Sequence, residues 1–165
     1  MKRILTLAVI LLFSGLCQAQ LAIGENAPFR LGKNATSGDE VIIQDYAGKV
    51  TVVMFWATWC DYCYKTLPAM EALQEQLGTS NIQVISIAVK DESKVVNKIT
   101  AEMKELSMIS SVDKTGKVAE SFGDQYMPNV WVINHAGKVA GHMAVKNDND
   151  LIKAIKMIES AVRAK

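Results

Sequence analysis

Seven consecutive residues, Val50 to Trp56, are β-branched, aromatic or otherwise suited to a strand buried on both faces. The run passes almost at once into Trp59-Cys60-Asp61-Tyr62-Cys63. A helical pattern follows, with Cys63, Leu67, Met70, Leu73 and Leu77 spaced to line one buried face. A strand buried on both sides needs helices or sheet above and below it. This junction therefore demands a layered α/β domain with a cysteine pair at a strand-to-helix turn. The helix is predicted from about Asp61 to Leu77, with a kink at Pro68, which has no N–H to donate.

The rest of the chain agrees with that demand. Pro28 precedes a short strand at residues 29–31, and a turn cluster at 34–39 leads to a second at 41–43. Ile82 to Val89 reads as another buried strand. Residues 92–106 are helical by Val95, Ile99, Met103 and Leu106. Met108 to Val112 fits a short strand, and Lys117 to Phe122 a short helix stopped by Gly123. Val130 to Ile133 and Lys138 to Met143 flank Asn134-His135-Ala136-Gly137, the pattern of a hairpin. Asn147 to Asp150 caps a final amphipathic helix built on Leu151, Ile155, Ile158 and Val162. The order predicts a mixed central sheet with helices on both faces.

The first residues belong to a different regime. Lys2 and Arg3 precede an apolar stretch from Ile4 to Phe13, and Cys17-Gln18-Ala19 offers small residues at a cleavage site. That is the pattern of a secretory signal peptide over residues 1–19, leaving 20–165 as the mature domain outside the cytoplasm. An uncleaved anchor over residues 4–23 and a lipid-modified Cys17 are the competing readings, and both also place the domain outside. Loss of Lys2 and Arg3 turns a formal charge of +1 into −1. Such a balance lacks the basic footprint of a nucleic-acid binder.

After cleavage two cysteines remain, Cys60 and Cys63. Placed three apart where a helix begins, they can form a small reversible disulfide. The first lies by the unpaired N–H groups and positive end of the helix dipole, which favour a thiolate. The second lies a turn deeper, shielded, as a resolving thiol. Half a zinc site is the competing use, for which His135 and His142 are the candidate further ligands. An inert structural disulfide is another.

Phe55 to Cys63, followed by Leu67-Pro68-Ala69-Met70, resembles the active-site strand and helix of the thioredoxin superfamily, in particular its TlpA-like secreted thiol–disulfide oxidoreductases. Gly123 to Ile133, containing Tyr126-Met127-Pro128-Asn129, is similar to the cis-proline strand of that family, and residues 134–138 to its hairpin. The resemblance covers about residues 24–162. It implies a thioredoxin-like fold with extra N-terminal strands and an inserted helix. It also implies that Cys60 attacks and Cys63 resolves, with no cofactor beyond the redox-active disulfide. Pro128 would be cis against that disulfide, and the Met127 backbone would pair with a bound substrate strand. Trp59 would belong to the docking surface, core packing being its alternative.

Three departures stand out. Met54 and Thr66 occupy positions where relatives carry a carboxylate that serves the buried thiol, and Tyr62 replaces a common proline. Asp61 puts a carboxylate beside Cys60, which opposes thiolate formation and tunes the pair towards a reducing disulfide. Its alternative is a solvent-facing helix-start residue. The reading is a periplasmic or secreted reductase of protein disulfides, in cytochrome maturation or repair of secreted proteins. Its implied reductant is a membrane electron carrier of the DsbD type. An oxidising or isomerising role, and Cu(I) binding through Cys60, Cys63 and Met127, are the alternatives.

Overall fold

The computed structural model describes residues 21–102, 106–123 and 126–164. The signal-peptide reading of residues 1–19 therefore lies outside the described residues. Seven strands and four helices follow in chain order: β1 (Arg30–Asn34), β2 (Glu40–Ile42), β3 (Val50–Trp56), α1 (Cys63–Leu77), β4 (Ile82–Val89), α2 (Ser93–Glu102), β5 (Ile109–Asp113), α3 (Lys117–Phe122), β6 (Asn129–Ile133), β7 (Val139–Ala144) and α4 (Asp148–Arg163). They form one sheet in the order β2-β1-β5-β4-β3-β6-β7. β3, β4 and β5 run parallel, and the outer pairings are antiparallel. This is the mixed sheet that the sequence predicts.

Every residue of β3 and β4 is buried, as strands covered on both faces must be. Alternate residues feed two separate cores. Val50, Val52, Met54 and Trp56 meet Leu67, Met70 and Leu73 of α1, Val96 of α2, and Leu151, Ala154 and Ile158 of α4. Val53 and Phe55 point the other way, to Ile85, Ile87, Trp131 and α3 through Ala119 and Phe122. Helices thus cover both faces, three on one and one on the other. At the N-terminal edge Gly32, with φ of 86°, lies where a Cβ would come within 2.7 Å of the Val112 carbonyl oxygen. Only glycine lets β1 close onto β5 there.

Several boundaries differ from the sequence reading. The first strand starts at Arg30 and leaves Phe29 exposed. The second gives way at Ile43 to a 3-10 turn over Ile43–Tyr46, so that the chain can bend towards β3. α1 begins at Cys63, not near Asp61, because the preceding turn is built from i,i+3 bonds: Cys60 N–H donates to the Ala57 carbonyl and Cys63 N–H to the Cys60 carbonyl. α2 is described to Glu102, Met103 lies outside the described residues, and Leu106 is not helical. The reason is the buried carboxylate of Glu71 on α1. It accepts hydrogen bonds from the N–H and hydroxyl of Ser107 and from the N–H of Met108, and so fixes the approach to β5.

Candidate active site

β3 and β4 end side by side, with Trp56 opposite Ala88, so their C-terminal ends open onto one edge of the sheet. Open α/β sheets place reactive groups at this end. The chain leaves β3 through Ala57 and Thr58. Asp91, just beyond β4, receives both the N–H and the hydroxyl of Thr58, at 2.9 and 2.8 Å. Lys90 between them takes φ of 58°, an uncommon left-handed conformation for lysine that redirects the chain at that point. On the other side, the Tyr64 hydroxyl donates to the Thr58 carbonyl at 2.9 Å. Thr58, two residues ahead of Cys60, is thereby held through its N–H, hydroxyl and carbonyl.

The Trp59 ring projects from this held loop and is 72% exposed. That removes the core-packing alternative for it. Cys60 and Cys63 are joined by a disulfide, with Cα atoms 5.3 Å apart. Their burial differs: Cys60 retains 6% of its surface and Cys63 none. Asp61 is exposed, and its side chain makes no hydrogen bond or ion pair among the described residues. That fits its reading as a solvent-facing residue, with its charge close to Cys60 in sequence. Thr66 is fully buried, but its hydroxyl donates to the Tyr62 carbonyl at 3.0 Å, its own i−4 neighbour. Met54 lies deep in the same core.

The second half of the site comes from β6. Asn129 pairs with Phe55, so the residues just before it reach the cysteine turn. The Met127–Pro128 peptide bond is cis. Met127 is half-buried and touches both cores, the place of a gap-filling thioether. A cavity of about 140 Å³ lies between Trp59, Val89, Ala119 and Met127. A larger hollow of about 420 Å³ sits at the opposite end of β3, beside Thr51 and His135, away from the sulfurs.

Tyr62, between the cysteines, sends its hydroxyl to the Asp148 carboxylate, and Lys65 reaches the same oxygen. The hydrogen bond to Asp148, then partial burial and the charges of Asp148 and Asp150, push the Tyr62 phenol up to about 12. The Lys65 and Tyr62 bonds hold the Asp148 carboxyl below the usual carboxylate range. Sequence reasoning missed Asp91, Tyr64 and Asp148. An acidic residue two places after a buried strand was the only local mark of Asp91.

The two histidines stand elsewhere. His135 lies in the hairpin turn, and His142 on β7 stacks on Trp131 with centroids 4.1 Å apart. No group of three or more His, Cys, Asp or Glu converges among the described residues. No helix among them is long and apolar enough to cross a membrane.

Residues 23–142 match the family described as AhpC/TSA. The thiol–disulfide oxidoreductase ResA of Bacillus thuringiensis subsp. konkukian is 26% identical over 122 residues, spanning 74% of this chain and 69% of that protein. The thioredoxin-like protein YneN of Bacillus subtilis is 31% identical over 121 residues, spanning 70% and 68%. The crystal structure of a Chlorobium tepidum protein provisionally named thiol:disulfide interchange protein DsbE superposes with a TM-score of 0.78 at 24% identity. That match covers 87% of this chain and 99% of the other. The fold is thioredoxin-like.

Proposed function

The chain belongs to the AhpC/TSA family, and with that as the premise we propose a thiol–disulfide oxidoreductase that reduces protein disulfides outside the cytoplasm. The observation that carries the reading is the unequal burial of the pair: Cys60 keeps 6% of its surface beside an exposed Trp59, while Cys63 keeps none. Cys60 is thus the member of the pair that a macromolecular disulfide would approach. The other is reserved for the second step.

In the reduced protein the Cys60 thiolate attacks one sulfur of a substrate disulfide. A mixed disulfide forms and the substrate's other sulfur leaves as a thiolate. Cys63, deprotonated, then attacks Cys60. The Cys60–Cys63 disulfide forms and the second substrate thiolate leaves. Two electrons pass from the protein dithiol to the substrate, and the two protons given up by the cysteines balance the two substrate thiols. No cofactor enters. A dithiol donor must reverse the change before the next cycle. For a domain exported by residues 1–19, a membrane electron carrier of the DsbD type has the required chemistry. Trp59, Met127 and Pro128 form the substrate edge, with the 140 Å³ cavity beside it.

The Asp61 carboxylate supports the reducing direction, because a negative charge beside Cys60 disfavours its thiolate and so favours the disulfide. The test is the reduction potential of the pair in redox buffers, joined to trapping of partners by the Cys63→Ser variant. A potential near or below about −250 mV, with substrates held as mixed disulfides on Cys60, is the expected result. A value above about −150 mV belongs to strong oxidants and would reverse the direction.

A further inference from the structure

Both halves of the redox site lean on one distant stretch of chain, the connection between β7 and α4. Its Val145 N–H donates to the Pro128 carbonyl at 2.9 Å. Its Lys146 ammonium lies 5.0 Å from the ring centroid of Tyr126, two residues before that proline. Asn147 caps α4, its side chain accepting from the Asp150 N–H. Asp148, next in line, accepts from the Tyr62 hydroxyl and from the Lys65 ammonium. Four consecutive residues therefore hold the cis-proline loop, their own helix start and the cysteine turn.

We propose that residues 145–148 act as a bracket that fixes the cis-proline loop against the Cys60–Cys63 turn, with Tyr62 and Asp148 as positioning residues that favour closure of the disulfide ring. The physical basis is effective concentration. Closing the ring requires the turn that contains Asp61 and Tyr62 to hold the two sulfurs together, and a turn tied down in advance loses less freedom on closure. The first turn of α1 has no side-chain cap of its own. Tyr62, just before it, is tied by its bond to a residue 86 positions away, and Lys65 within that turn reaches the same oxygen. Asp148 is well placed for this, because a carboxylate in the first turn of α4 is favoured by the dipole of that helix. Its backbone is anchored by the Asn147 cap, and two donors share one of its oxygens. The bracket rests on the oxidoreductase reading for its use, yet its test compares variants with the parent protein. It stands or falls at whatever absolute potential the parent has.

The experiment equilibrates the parent protein and the Tyr62→Phe, Asp148→Ala and doubly substituted variants with thiol–disulfide redox buffers. Unfolding midpoints are measured alongside. Each single change is expected to lower the equilibrium constant for ring closure by about threefold or more, the scale of one net hydrogen bond. The double variant should fall no further than the lower single variant, because Tyr62→Phe removes the donor and Asp148→Ala the acceptor of one bond. Tyr62→Phe keeps the Asp148 charge. A shift confined to Asp148→Ala would therefore be an effect of that charge or of its Lys65 contact, and would overturn the bracket. Additive shifts, or lowered unfolding midpoints with ring closure unchanged, would overturn it as well.

Discussion

The two residues between the cysteines stand in different surroundings. Asp61 is exposed, so its effect on a Cys60 thiolate is screened by water. For two charges several ångströms apart in a water-like medium, such repulsion is worth roughly half a pH unit. Asp61→Asn is expected to lower the Cys60 pKa by about that much and to raise the reduction potential; thiolate absorbance against pH and redox equilibration measure the two. If neither moves, the carboxylate plays no part in tuning. Tyr62 is instead held by a specific partner. Its phenol is raised to about 12 from 10.0, chiefly by the bond to Asp148. A raised folded-state value means that the contact contributes fully below the unfolded value of 10.0 and is lost as pH climbs through about 12. The Asp148 carboxyl, held low, works in the opposite sense, and its contribution fades as acid protonates it. The tyrosinate absorbance that disappears in Tyr62→Phe should therefore titrate near 12. Titration near the ordinary value of 10 would mean that the bond does not persist in solution.

The elements that carry the site are held by carboxylates at their ends rather than by the cysteines. Asp91 follows β4 and holds the loop that leaves β3 through two bonds to Thr58. Glu71 on α1 does the same for the segment that enters β5. Asp91→Ala leaves the half-buried Thr58 N–H and hydroxyl without their acceptor. The expected cost is about 1–3 kcal/mol of stability, with a slower attack of Cys60 on a disulfide peptide because Trp59 and Cys60 lose a fixed approach. Denaturant unfolding and single-turnover rates check both. An unchanged rate would show that the turn holds its shape without Asp91. The helices and strands themselves were legible from periodicity, since β3, α1, β4 and α3 each write their buried face in neighbouring residues. Their ends were less so. Asp61 and Tyr62 lie before α1 and Leu106 is not helical because i,i+3 bonds and the Glu71 carboxylate set the chain there, and neither leaves a periodic trace.

At the scale of the whole molecule, the sheet separates two cores, and the face away from α1 is organised by aromatic rings. Phe122 packs edge-on against both Phe55 and Trp131, with centroids 5.0 and 5.1 Å apart. It is fully buried and is α3's main hold on the sheet. Phe122→Ala is expected to cost about 3–5 kcal/mol. For a domain of this size that lowers the melting temperature by roughly 6–20 °C. A loss below about 1 kcal/mol would mean that the other residues of α3 suffice to hold it. By itself the sequence determined the layered α/β class, the succession of elements and the meeting of a cysteine pair with a strand-to-helix turn. Each of these is encoded in residues close together in the chain, through side-chain period and turn chemistry. Only the tertiary structure decided that Asp91 would hold Thr58, that Glu71 would hold Ser107 and that Asp148 would reach Tyr62. Those partners are 33, 36 and 86 residues apart. They meet because of strand order and register, which put β4 beside β3 and the start of α4 beside the start of α1, and no local pattern of hydrophobicity specifies which distant carboxylate arrives there.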